Sequence, residues 1–135
     1  MKIDHVGVAV RSLDEGARLY KDLLGLVEVH REEVPAQKVR VAFLADPADR
    51  AGTTVELLEP TAPEASVAKF ISARGTGLHH LAFLTPKVGE AMGALRKGGA
   101  PPLEAAPRPG ARGHQVCFVH PKHCGGVLIE LVGGS

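Results

Sequence analysis

Two histidines and two glutamates occupy matching places in apolar, strand-like stretches of this 135-residue sequence. His5 stands in Ile3-Asp4-His5-Val6-Gly7-Val8-Ala9-Val10 and His80 in Leu78-His79-His80-Leu81-Ala82-Phe83-Leu84, 75 residues later. Glu56 stands in Thr54-Val55-Glu56-Leu57-Leu58 and Glu130 in Leu128-Ile129-Glu130-Leu131-Val132, at an offset of 74. A single His or Glu on a strand is ordinarily solvated or paired locally. Four of them at repeat-equivalent positions among apolar neighbours are another matter. Burial without a partner would cost several kcal/mol, and a shared cation removes that cost. Two nitrogen and two oxygen donors with room for water suit an octahedral divalent ion such as cobalt(II), nickel, manganese or zinc, among which the donor set does not choose. The set is too nitrogen-rich for calcium.

The elements that must position these groups follow from the same repeat, since two separated segments recurring in one order at nearly one spacing mark a duplicated unit. Val6, Val8 and Val10 alternate with His5, Gly7 and Ala9, the period of a half-buried strand, so the bulky face belongs against a helix and His5 faces away. Leu81 and Phe83 match Val6 and Val8, which makes His80 the counterpart of His5. By the same alternation Val55 and Leu57 face the helices beside Glu56, and Ile129 and Leu131 beside Glu130. A helix is expected over Leu13–Leu24, with Ser12 as N-cap, Gly25 as C′ residue and Leu13, Ala17, Tyr20 and Leu24 on its buried face. Strands are expected near Val27–Val34, Val39–Ala45 and Thr53–Glu59, giving β-α-β-β-β.

A connector of about residues 64–74 follows, with a helix over Ala65–Ala73 closed by Gly75. The second half repeats the plan from Leu78, with a helix over Val88–Lys97 and a loop, Pro107-Arg108-Pro109-Gly110-Ala111-Arg112-Gly113, before its third strand. The expected fold is α+β: one domain over 1–135, with module one about 1–62 and module two about 77–135, forming a curved mixed sheet around a metal site. Neither half has core enough to stand alone, and a pseudo-twofold pairing would gather His5, Glu56, His80 and Glu130 in one concavity.

Composition narrows the function. With 44% hydrophobic and 23% charged residues, the chain is neither disordered nor low-complexity. A net charge of +1 and 4% aromatic residues leave no footprint for nucleic acid or an anionic membrane. No apolar run spans a bilayer and no signal sequence opens the chain, so a soluble, cytoplasmic protein is expected. Cys117 and Cys124 are expected as reduced thiols. The cluster His114, Cys117, His120, His123, Cys124 matches no zinc-finger spacing.

The halves resemble the βαβββ modules of the vicinal-oxygen-chelate superfamily, and the detailed strings resemble its methylmalonyl-CoA epimerase family. The strings are Ile3 to Val10, Glu56-Leu57-Leu58-Glu59-Pro60-Thr61, Val67-Ala68-Lys69-Phe70, Gly77 to Phe83, Pro107 to Gly110, His120-Pro121-Lys122 and Gly125 to Leu131. The resemblance implies that His5, His80 and Glu130 are metal ligands and that Glu56 takes the fourth ligand position, which is Gln in some members. Some members carry an acid at the position of Val41, where it can serve as a base; here the position is apolar, leaving Glu56 as its natural substitute.

The implied activity is inversion at C2 of methylmalonyl-CoA, with the divalent ion stabilising an enolate and Glu130 and Glu56 as proton carriers. Arg108, Arg112 and Lys122, around the Gly-rich loop, are candidates for the CoA phosphates. The resemblance also implies an acyl-CoA partner, a homodimer and a place in propionate metabolism. Two rival readings share the fold: a glyoxalase I-like lyase acting on a glutathione hemithioacetal, and a non-catalytic CoA-ester-binding protein.

Overall fold

The structure is a computed structural model that describes residues 1–134. Its backbone divides into two units, one of residues 5–79 and one of residues 1–4 with 80–134.

In the first unit the chain runs β1 (Ile3–Ala9), α1 (Leu13–Leu24), β2 (Val27–Val34), β3 (Val39–Ala45), β4 (Thr54–Pro60) and α2 (Ser66–Arg74). The strands lie in the order β2-β3-β4-β1. β1 is parallel to β4, and the other two pairings are antiparallel. Helix α1 starts where Ser12 leaves the helical conformation and accepts a hydrogen bond from the Glu15 N–H at 3.2 Å. The Leu13 N–H is taken by Glu59 Oε1 at 3.0 Å, so a second orphan donor of the first turn is satisfied from β4. The helix ends at Gly25, whose φ of 69° is a left-handed conformation that favours glycine.

Val8, Leu13, Ala42, Leu44 and Leu57 form the core between α1 and the sheet, with Val10, Ala17, Tyr20 and Val55 against it. Leu24 departs from expectation: it is 65% exposed. The left-handed turn at Gly25 ends the helix there, and Leu26, just beyond it, packs against the core instead. Helix α2 begins one residue later than expected, with Ala65 as its N-cap, and buries Val67 and Ile71.

The second unit repeats this plan as β5 (Gly77–Thr85), α3 (Val88–Lys97), β6 (Arg108–Pro109), β7 (Gln115–Val119) and β8 (Ile129–Gly133). Its strand order is β5-β8-β7-β6, with β5 parallel to β8 and the others antiparallel. Val88 and Met92 of α3 meet Cys117 and Leu131, with Phe83 and Ile129 alongside. The stretch expected as loop is more ordered than that: Arg108 and Pro109 pair with Val116 and Gln115, and a 3-10 turn spans Ala111–Gly113. Two prolines leave few donors for a longer ladder, which keeps β6 short.

Candidate metal centre and its surroundings

Parallel pairing sets Gly7 of β1 beside Glu56 of β4, and His5 precedes Gly7 on the same face of its strand. That face is the one turned away from Val8, Val10, Val55 and Leu57, which pack under α1. The result is a buried pair, His5 Nε2 to Glu56 Oε1 at 3.2 Å. Phe43, the register partner of Glu56 across β3 and β4, turns its ring edge-on to His5, with centroids 5.5 Å apart and planes at 89°.

The second unit builds the same arrangement. Ala82 of β5 lies beside Glu130 of β8, as Gly7 lies beside Glu56. His80 Nε2 meets Glu130 Oε1 at 3.0 Å, and both residues are buried. Phe118 is the register partner of Glu130, and its ring stands 5.9 Å from that of His80 at 86°.

A buried carboxylate keeps its charge only with a cationic or hydrogen-bonding partner, and a buried imidazole favours its neutral, ligating form. In each unit a buried imidazole and a buried carboxylate, His5 with Glu56 and His80 with Glu130, offer one nitrogen and one oxygen as candidate metal ligands. The aromatic edges restrict each imidazole ring, which favours a fixed ligand direction.

The candidate phosphate-binding residues are placed less uniformly. Arg112 sits at φ 59°, in the left-handed region uncommon for a side chain of its size. It is tied to Asp4, its Nη2 lying 2.5 Å from Asp4 Oδ2. Arg108 lies over the Phe118 ring at 5.5 Å, with its Nε 3.2 Å from Glu104 Oε2. Lys122 is exposed on the 3-10 turn Pro121–His123, where its N–H donates to His120 Nδ1 at 3.0 Å. Val41 is fully buried on β3 and faces Leu58 across the ladder, so nothing at that position can carry a proton.

Sequence reasoning missed four residues of these surroundings. Phe43 and Phe118 stand 75 apart, the offset that relates His5 to His80, so extending the repeat comparison to the third strand of each module would have found them. His30 and Glu32 on β2 form a side-chain pair, Nε2 to Oε2 at 2.6 Å, and the His30 ring lies 6.1 Å from that of Phe43. Their alternation was visible. The face they occupy was not, because it depends on a strand irregularity.

Comparison with known proteins agrees with this architecture. The family described as Glyoxalase/Bleomycin resistance protein/Dioxygenase superfamily matches residues 4–118. The human mitochondrial methylmalonyl-CoA epimerase is 33% identical over 131 residues, covering 96% of this chain and 72% of that protein. An ethylmalonyl-CoA/methylmalonyl-CoA epimerase of Cereibacter sphaeroides is 32% identical over 132 residues, covering 96% of each. A solved methylmalonyl-CoA epimerase in complex with methylmalonyl-CoA and NH4+ superposes with a TM-score of 0.92. It is 38% identical, and the match covers 99% of this chain and 94% of that one.

Proposed function

We propose, from the premise that this chain belongs to the Glyoxalase/Bleomycin resistance protein/Dioxygenase superfamily, that it is a metal-dependent epimerase interconverting (2R)- and (2S)-methylmalonyl-CoA. The observation that carries the reading is the duplicated His–carboxylate pair, buried in each unit under an aromatic edge. Likeness over nearly the whole chain to epimerases, one of them solved with methylmalonyl-CoA, supports the choice of substrate.

Inversion at C2 takes a proton from one face of a weakly acidic carbon and returns one to the other. The residues that would hold a divalent cation are His5, Glu56, His80 and Glu130, and the ion would supply Lewis-acid stabilisation of the charge that develops when the C2 proton leaves. Glu56 and Glu130 are the proton carriers of this reading, since a carboxylate on each side of C2 is base in one direction and acid in the other. His5 and His80 hold them in place at 3.2 and 3.0 Å. Burial keeps bulk water from competing for the proton. Lys122, Arg108 and Arg112 would meet the CoA phosphates, Lys122 as an exposed charge on its turn and the two arginines from positions already fixed by Glu104 and Asp4.

The experiment is deuterium incorporation at C2 when protein reconstituted with cobalt(II), nickel, manganese or zinc meets a single epimer of methylmalonyl-CoA in heavy water, beside a metal-stripped control. Metal-dependent incorporation with loss of stereochemical purity is expected. Incorporation no faster than in the control with every metal would refute the epimerase. A parallel assay with the hemithioacetal of methylglyoxal and glutathione would then decide for or against a glyoxalase I-like lyase.

A further inference from the structure

The irregularity in β2 turns a second acid–base pair onto the face that carries Glu56. Opposite β3, Glu28 pairs with Leu44 and His30 with Phe43, so Val29 is an extra residue between them. Leu44 belongs to the core under α1, whereas the Phe43 ring meets His5 on the other face. Without the bulge, His30 would follow Glu28 onto the helix face and stay there. With it, His30 faces the side of Phe43, and Glu32, two residues on, is set opposite Val41 on the same side. Arg31 takes the helix side and pairs with Asp14 of α1 at 2.7 Å, which confirms the alternation. Bulges re-aim side chains in this way beside functional sites.

What the bulge delivers is an imidazole oriented by a carboxylate. His30 Nε2 lies 2.6 Å from Glu32 Oε2, which favours the tautomer with its proton on Nε2 and leaves Nδ1 as the basic nitrogen. The two side chains are 36% and 29% exposed, unlike the buried His5 and Glu56, so the pair meets both solvent and the inner face of the sheet. His30, Phe43 and Glu56 are successive partners along one row across β2, β3 and β4. At the usual spacing of strands this puts the backbone of His30 about 10 Å from that of Glu56, a gap that its side chain and one or two waters can span.

We propose that His30, positioned by Glu32, is a proton shuttle between bulk solvent and this face of the sheet, loading and unloading the proton that epimerisation exchanges. This rests on the epimerase reading above, in which both proton carriers are buried and neither is solvated. Each passage moves one proton and no electrons: Nδ1 takes a proton from hydronium or a buffer acid, which leaves as water or conjugate base, and hands it to a water on the inner face of the sheet, which returns the ring to neutral imidazole.

The test compares wild-type, His30→Ala, His30→Gln and Glu32→Gln proteins, loaded with the same metal, at low buffer concentration and with added imidazole. Both His30 variants are expected to lose about 10-fold or more in kcat with KM within about twofold. Added imidazole should restore His30→Ala saturably while leaving the wild type unchanged, and Glu32→Gln should fall between. Full kcat in His30→Ala at low buffer would overturn the shuttle. So would a lost rate that imidazole does not restore, in variants whose circular dichroism matches the wild type. A wild type that exchanges no C2 proton would refute the epimerase reading itself, which the wild-type arm shows before any variant is compared.

Discussion

Phe43 is at once the cross-strand partner of Glu56 and the edge-on neighbour of His5, so one residue borders both members of the pair. Phe118 does the same for Glu130 and His80. The His5 ring is nearly fully buried. Removing its aromatic neighbour leaves space into which the imidazole can turn, and a ligand free to turn binds more weakly. Phe43→Leu and Phe118→Leu are each expected to weaken cobalt(II) binding by roughly 10-fold, measured by calorimetry. Unchanged affinity in both would show that the rings merely fill volume.

Removing the carboxylates separates structure from chemistry. Glu130→Gln keeps the size and one hydrogen-bonding oxygen but cannot carry a proton, and it should slow C2 exchange by about 100-fold or more. Glu56→Gln should do likewise if both faces of C2 are served as proposed. Exchange retained in either variant, followed as deuterium washout, would remove that residue from the proton path.

Much of this was legible in the sequence, and the reasons are local. The caps Ser12 and Gly25 act through residues adjacent in the chain, and α1 keeps its expected limits. The faces of His5, Glu56, His80 and Glu130 were readable because strand alternation and the repeat together fix which way each side chain points, whereas the pairing of each His with its Glu was not. Leu24 failed because the periodicity of α1 continues past the point where Leu26 takes over the packing. β6 failed because its two residues are held by pairing with β7, a contact with no signal in Arg108-Pro109 itself. His30 was hidden for a similar reason: a bulge shifts the register by one, and pattern counting along β2 cannot see it.

Cys117 gives a pH-dependent prediction. Burial, reinforced by the charge of Glu104, pushes its thiol up from 9.0 to about 11. The folded protein therefore keeps a proton on this sulfur that the unfolded chain releases above pH 9. Its contribution to stability is complete below about pH 9 and is lost as pH rises toward 11. Denaturant midpoints between pH 8 and 11 should fall more steeply for the wild type than for Cys117→Ala. A thiol reagent at pH 8 should label the half-buried Cys124 well before Cys117, which lies under α3. Equal labelling of both in the native protein would contradict the buried, protonated Cys117.

Gly110 controls the loop that carries Arg108 and Arg112. A Cβ built there would lie 2.5 Å from Val116 Cγ1, closer than side chains approach, and Val116 is buried in the core that also holds Ala82, Phe118 and Val132. Val116 cannot swing aside without disturbing that core, so the strain falls on the loop. The Gly110 N–H donates to the His114 carbonyl at 2.9 Å and closes the turn, and Arg108 reaches Phe118 and Glu104 from its start. Gly110→Ala is expected to cost about 1–3 kcal/mol of stability, read from denaturant unfolding. If the displaced arginines meet the CoA phosphates as proposed, it should also raise KM for the acyl-CoA more than it lowers kcat, since the His–Glu pairs are untouched. An unchanged KM in a folded Gly110→Ala protein would place the CoA phosphates away from this loop and leave Lys122 as the remaining candidate.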